Sequence, residues 1–391
     1  MKRVAIFSAV ALILSTLFIV ATPIPAAQAA ACATPTQSTF VETGTTYTVQ
    51  TFSTAVVNCT WSVPNNVSSI KVIIVGGGGG AAFGSCGGGG GAGRVILSNT
   101  AIPVTANATL SLTIGNGGAG GWYGASDWRM GTSGETSSAT IGGNTYFASG
   151  GGGGGGGSST ATGLNGGSGG GGSACNSASG GAADTSVISG FTSYANAGGT
   201  GNSTGGGGGG AGAAGVAGNG GNGITLWGAT FAGGGGGWGG GSGGTGGGGS
   251  ALNGTTTKAA SGNPGTSGTG SGGGGGNDGA CGRIMIRYIV DTSVQAPTIS
   301  GSPTKGMTIV ITVIANTPGR VRFFIAGKRA ANCLSQATTG SFGSATATCN
   351  WKPTTRGYVE LRAQVFPTET GYPAAMSAIN KVFVLNRATT R

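Results

Sequence analysis

The pattern of apolar and polar positions divides the chain into sharply different textures. Residues 4–20 form an almost unbroken apolar run. Short β-branched stretches follow at 70–75, 94–97, 109–114, 223–227 and 283–290, each bounded by turn residues, and they predict strands. Long glycine tracts lie between them. A faint repeat joins the two textures: Ile141-Gly-Gly-Asn-Thr-Tyr-Phe-Ala148 and Leu226-Trp-Gly-Ala-Thr-Phe-Ala232 both lead into glycines. From Gln295 onward, strand patterns return at 307–314, 320–325, 345–352, 358–366 and 381–385. So many short strands within one hundred residues predict an antiparallel sandwich. The chain is expected to be all-β.

The first run decides the expected compartment. Lys2 and Arg3 precede it, Thr22, Pro23 and Pro25 break it, and Ala27-Gln28-Ala29 and Ala29-Ala30-Ala31 both fit a small-residue cleavage site. Residues 1–29 therefore read as a signal peptide. No second apolar stretch reaches the roughly 20 residues of a membrane helix. The expected mature chain is secreted and carries no transmembrane span.

Composition raises the central question. Of 91 glycines, 82 lie between residues 76 and 282, since only nine fall elsewhere. Such a tract either remains flexible or orders itself. Collagen is excluded by the missing G-X-Y period. Runs such as 150–157 and 205–210 can instead take the extended threefold polyproline-II geometry, the polyglycine-II form. Packed side by side without side chains, they can bond N–H to C=O laterally. Each bond contributes about 1 kcal/mol net, so strands and cross-links must assist, and flexible loops on a β scaffold remain the alternative. Charge marks a boundary. Residues 31–291 hold six basic and six acidic side chains, whereas residues 292–391 hold eleven basic and two acidic. Two domains are expected, at 32–291 and 292–391.

The segment Cys59-Thr-Trp-Ser-Val-Pro64, then Val67-Ser-Ser-Ile70, Val72-Ile-Ile-Val75 and a glycine tract, resembles the opening of a family of bacterial and phage glycine-rich domains. Gly282-Arg-Ile-Met-Ile-Arg-Tyr288 is similar to its closing strand. The resemblance spans roughly residues 32–290 and implies a jelly-roll-like core. In related phage tail-tip adhesins, such tracts form a polyglycine sandwich that presents loops to a receptor. Gly319-Arg-Val-Arg-Phe323 and Cys349-Asn-Trp-Lys-Pro353 resemble the immunoglobulin-like (Ig-like) repeats of actinobacterial surface proteins, which implies an Ig-like β-sandwich. Trp351 then belongs to its core.

Seven cysteines without a C-x-x-C, in a chain expected to be exported, read as disulfides. Cys32–Cys59 would tie the mature N-terminus to the first strand, and Cys333–Cys349 would staple the second domain. Cys86, Cys175 and Cys281 compete for one further bridge. Lipidation of Cys32 would leave six cysteines to pair, but no leucine stands three places upstream.

Catalysis is not expected. Without histidine there is no Ser-His-Asp site, no Cys-His site and no histidine-bound zinc. The G-x-S-x-G around Ser242 lies in a glycine tract, and the S-x-x-K pairs Ser68/Lys71 and Ser302/Lys305 have no K-T-G partner. No cofactor or metal site is expected. Recognition remains: Trp122, Tyr123 and Trp128 cluster after residues 115–121, which read as a turn, and exposed aromatics commonly anchor ligands. Trp227, Phe231 and Trp238 flank another tract. The basic second domain suits anionic cell-wall polymers or surface glycans. Few aromatics interleave with its basic residues, so nucleic acid is not expected. These features predict a surface adhesin or envelope-associated binding protein, with a passive spacer or filament component as the alternative.

Overall fold

A computed structural model describes residues 30–121, 130–156, 162–175, 177–251, 265–289, 292–341, 343–368 and 372–386. The first unit contains β1 (Thr36–Glu42), β2 (Thr45–Phe52), β3 (Val56–Ser62), β4 (Ser69–Val75), β5 (Val95–Ser98), β6 (Ile102–Pro103) and β7 (Thr109–Ile114). It continues with β8 (Ser137–Ile141), β9 (Asn144–Ala148), β10 (Phe191–Tyr194), β11 (Ile224–Leu226), β12 (Ala229–Phe231) and β13 (Arg283–Tyr288). Among the described residues there is no α-helix, and the fold is all-β.

The larger sheet runs β1-β2-β13-β4-β5-β10, with β6 also paired to β4, and faces a smaller sheet β3-β7-β8-β9. Successive side chains of a strand point to opposite faces, and here both faces are buried. Ile70, Val72 and Ile74 of β4, with Ile284, Ile286 and Tyr288 of β13, enter the core shared with Leu110, Leu112 and Ile141 of the smaller sheet. Ile73, Val75 and Met285 enter a second core, with Phe231 of the β11–β12 hairpin and Ala92, Ala211 and Ala232. Two-sided burial explains why β4 is nearly continuous in apolar residues rather than alternating.

The faint repeat is a pair of matching hairpins. Gly142–Gly143 in β8–β9 and Trp227–Gly228 in β11–β12 both have positive φ at each central position, the signature of a type I′ turn. Cross-strand threonines close both: Thr140 meets Thr145 at 2.9 Å and Thr225 meets Thr230 at 2.7 Å. Trp227 is thus a turn residue, not part of a strand.

Where the sheets stop, the glycine tracts continue as a hydrogen-bonded lattice. Gly76, Gly79 and Ala82 donate to Arg94, Gly91 and Gly88; Gly77 and Gly80 donate to Glu135 and Thr132; Gly78 and Ala81 donate to Ala280 and Asn277. The partner changes with every residue and returns every third, as a threefold extended helix requires. The same run accepts bonds from Gly151 and Gly154, from Gly118 and Gly121, and from Gly273, so six neighbours surround it. Residues 87–94 and 205–211 are enclosed in the same way. A Cβ on Gly90 would land on the carbonyl oxygen of Gly79, and one on Gly208 on that of Gly90, well inside van der Waals contact. Residues 115–121, expected as a turn, form one of these tracts.

At the lattice edge the three-residue phase reappears in the sequence. Asn116 and Ala119, Ser179 and Ala182, Ala197 and Thr200, and Val216, Asn219 and Asn222 are all exposed. Side chains there also cap neighbouring amides: Glu135 accepts from Asn116 N, Thr132 from Ala119 N, Asn165 from Ala182 N, Asn219 from Ser242 N and Asn222 from Thr245 N, at 2.7–3.2 Å.

The second unit comprises β14 (Thr298–Ile299), β15 (Ile309–Ala315), β16 (Gly319–Ile325), β17 (Lys328–Arg329), β18 (Gln336–Ala337), β19 (Ala345–Trp351), β20 (Gly357–Pro367), β21 (Ala375–Met376) and β22 (Asn380–Val384). Sheet β14-β15-β19 packs on sheet β17-β16-β20-β22, to which β18 and β21 also pair. Ile311, Val313, Val321, Phe323, Leu361 and Val365 fill the space between them, with Trp351 buried among them. Disulfides join Cys32 to Cys59, Cys86 to Cys175 and Cys333 to Cys349, and Cys281 is free.

Two outcomes test the lattice. Gly90→Ala should lose about 3 kcal/mol or more of stability, because backbone carbonyls cannot make room for the methyl group. Ala119→Ser on the outward row should stay within about 0.5 kcal/mol of wild type. Denaturant unfolding of both measures the difference. Every amide of residues 205–210 donates a bond, so their hydrogen exchange should be protected far beyond random-coil rates. Coil-like exchange there would leave only the strands folded.

Candidate binding surfaces

Tract direction sorts the connections by end. The 76–82 run leaves β4 at Val75 and turns back into 87–94, which leads into β5 at Val95. The turn at residues 83–86 therefore lies at the lattice end remote from the sheets. At the same end Ser177 N donates to Ala174 O, closing a second turn, and the Cys86–Cys175 disulfide fastens the two turns together. Trp238 is half-buried there, its amide donating to Gly87 O at 2.8 Å. Gly121 and Gly131 stand at this end too, donating to Ala81 O and Gly154 O at 2.8 and 3.0 Å. Trp122, Tyr123 and Trp128 lie outside the described residues.

The other flagged aromatics serve the interior. Phe231 is fully buried. Trp227 packs against Arg287, whose guanidinium lies 4.8 Å from its ring, 4.5 Å from Tyr47 and 5.6 Å from Phe40. Arg287 also bonds Glu42 at 2.8 Å. That hydrogen bond, with the guanidinium charge, outweighs desolvation and lowers the Glu42 pKa. The composite cage holds a buried cation with rings and one carboxylate, and it joins β1, β2, β13 and the β11–β12 turn.

A second buried cation clamps lattice to sheet. Arg94, the last residue of its tract, is buried and pairs with Asp184 at 3.0 Å. Its guanidinium also donates to Ser186 Oγ at 2.6 Å, to the Ser186 carbonyl, and to Ser193 Oγ of β10 at 2.8 Å. Desolvation pushes the Asp184 carboxyl upward, but hydrogen bonds from Ser149 and Ser186 and the Arg94 charge prevail and hold it at about 2. The sequence places Arg94 in a strand; the structure ends a glycine tract with it.

Basic residues of the second unit gather on one face. Along β16 and β20 the inward positions are apolar, so Arg320, Arg322 and Phe324, with Tyr358, Glu360, Arg362, Gln364 and Phe366, fall on the opposite face. Lys381 and Phe383 of β22 join them, paired across from Glu360 and Tyr358. Arg322 stacks on Phe366 at 4.3 Å, Tyr358 meets Phe383 edge-on at 5.0 Å, and Lys381 pairs with Glu360 at 3.2 Å. In the linear sequence aromatics and basic residues look poorly interleaved. The period of two and the antiparallel register bring them together, and reading alternate positions of 320–324 and 358–366 would have found them.

Among the described residues, no three His, Cys, Asp or Glu side chains converge on a metal position, and no helix is long and apolar enough to cross a membrane. Cys281 is partly buried, its thiol donating to Ser53 O at 3.2 Å.

A double-cored antiparallel sandwich carrying a lattice of polyglycine tracts defines an all-β, glycine-rich class of protein. The family model described as "Glycine-rich domain" matches residues 53–289, more than half of the chain, and the chain belongs to that family. No curated protein matches it.

Asp184 supplies a pH test. A carboxyl held near 2 and released to about 3.9 on unfolding adds stability that is complete above roughly pH 4–5 and disappears as pH falls towards 2. Acid titration of the wild type should reveal a loss of about 2 kcal/mol in that window. Asp184→Asn should lack that portion, while being less stable at neutral pH by about 3 kcal/mol because buried Arg94 loses its counter-charge.

Proposed function

We propose that this protein is a non-catalytic surface-binding protein, secreted and retained at the cell envelope, whose lattice presents loops to a ligand while the basic second unit holds the anionic envelope. The observation that carries this reading is the gathering of chain turns at the lattice end remote from the sheets, with Cys86–Cys175 fastening two of them. A platform whose interior amides are fixed by partners on every side holds loop ends at set positions, which lowers the ordering cost of binding. The aromatic segment containing Trp122, Tyr123 and Trp128 starts from that end. Three disulfides suit an oxidising compartment, in keeping with the signal-peptide pattern of residues 1–29. The Ig-like resemblance of residues 292–391 agrees with a surface role.

The test uses the mature chain and a variant with Trp122, Tyr123 and Trp128 all changed to alanine. Specific binding on glycan arrays or whole cells should be lost in the variant while both proteins sediment with isolated cell walls at low salt. No specific binding by either protein would replace this reading with that of a passive spacer. Sedimentation unaffected by high salt would remove the electrostatic part, since exposed charges are screened within about 10 Å at 0.1 M salt.

A further inference from the structure

We infer that the outward face of β16, β20 and β22 is a binding site for a carboxylate-bearing polysaccharide; the inference rests on the reading of the second unit as the envelope-holding half and names its site and ligand class.

The face is built from two chemistries in register. Arg320 and Arg322 stand two residues apart on β16, about 7 Å along the strand. Arg362 stands on β20 next to Phe324 of β16, its register partner. At the β22 side, Tyr358 is 78% exposed and Phe383 40%, their rings packed edge-on to one another at 5.0 Å. Exposed aromatic rings offer apolar platforms to the C–H faces of sugars. Planar guanidinium groups match carboxylates through paired N–H donors. Arg322 is already held on the Phe366 ring at 4.3 Å, which limits the rotamers it must surrender on binding. Cations and rings therefore share one face, Arg320 opposite Phe366 and Arg362 opposite Phe324, the two chemistries that a carboxylate-bearing pyranose chain presents.

Charge spacing separates this ligand from nucleic acid. Duplex DNA presents about one charge per 1.7 Å of axis, and Glu360 in the middle of the face, 47% exposed beside Lys381, would meet those phosphates. A polysaccharide with a single carboxylate on each sugar can leave an uncharged stretch over Glu360. Four cations against one acid on the face still favour a polyanion.

The full chain is tested by titration with a soluble polyuronate, a neutral dextran, a phosphodiester polymer and duplex DNA. Polyuronate should bind most tightly. Arg320→Gln with Arg322→Gln, and separately Tyr358→Ala with Phe383→Ala, should each weaken it about tenfold. The equal-charge control Lys305→Gln with Lys352→Gln lies off this face and should weaken it by less than about twofold. Unfolding midpoints report whether each variant folds, and the arginine pair, exposed or half-exposed, carries the test if the aromatic pair does not. Equal losses in the control, tighter binding of DNA or phosphodiester polymer, or no polyuronate binding would overturn the proposal. Wall sedimentation that persists without polyuronate binding would defeat this inference alone. Loss of wall sedimentation with polyuronate binding intact would instead defeat the envelope reading.

Discussion

The lateral N–H···O=C bond between glycine tracts, which no Cβ can accompany, is the constraint on which the first unit depends. Each enclosed residue buries one amide and one carbonyl, and buried backbone groups must find partners. A threefold helix turns successive groups toward three different donor directions and three acceptor directions, so one run needs six neighbours. At each enclosed glycine the position of a Cβ faces a neighbour's carbonyl oxygen. The hydrogen that stands there instead makes a Cα–H···O contact, worth roughly 0.5–1 kcal/mol. A lattice without side chains thus gains cohesion from two kinds of backbone contact and very little from apolar side chains. That cohesion is set against about 1–2 kcal/mol of backbone entropy per residue, and glycine loses the most.

Such a balance explains the position of the other interactions. The larger sheet sets the spacing of the runs, because its strands are separated by the same bond, roughly 4.8 Å apart. Chains enter the lattice from β4, β7, β9, β10 and β12 and return into β5, β8, β10, β11 and β13. Direction is no obstacle: residues 76–82 bond antiparallel to 88–94 and parallel to 151–154. At the junction, Arg94 ties its tract to Asp184, Ser186 and Ser193, and so joins lattice to β10 with one buried side chain. The remote end receives a covalent fastening in Cys86–Cys175. Each device acts where the lateral bonds run out.

The sequence disclosed some of this and concealed the rest for physical reasons. Strands β4, β7 and β13 were legible because β-branched runs between turns have few other fates. The threefold extended form was legible because uninterrupted glycine excludes most alternatives. Strands β1 and β2 were not: β1 is an edge strand that buries little, and β2, though half of it is buried, is Thr-rich and carries no apolar run. Residues 115–121 were misread as a turn because glycine pairs usually punctuate. Their Asn116–Ala119 phase is the mark of an edge tract. The basic face was hidden because its partners lie on separate strands and meet only through registers such as those that set Arg320 against Phe366 and Tyr358 against Phe383. Among the free choices for Cys86, only three-dimensional adjacency of two turns could select Cys175.

The same phase also explains why the lattice ends where it does. An open row of amides and carbonyls is a template for further chains, as an unpaired strand edge is in a sheet. Enclosed runs are glycine at nearly every position, with alanine only towards their ends as at Ala81, Ala82, Ala92 and Ala211, whereas edge runs carry an outward side chain at each third position. That side chain occupies the place of the next run, and Asn165, Asn219, Asn222, Thr132 and Glu135 use it to accept the amides the next run would have taken. The interior consequently admits almost no substitution, while the outward rows and the remote turns admit many. A fold with its freedom distributed in this way can change what it displays without changing what holds it together.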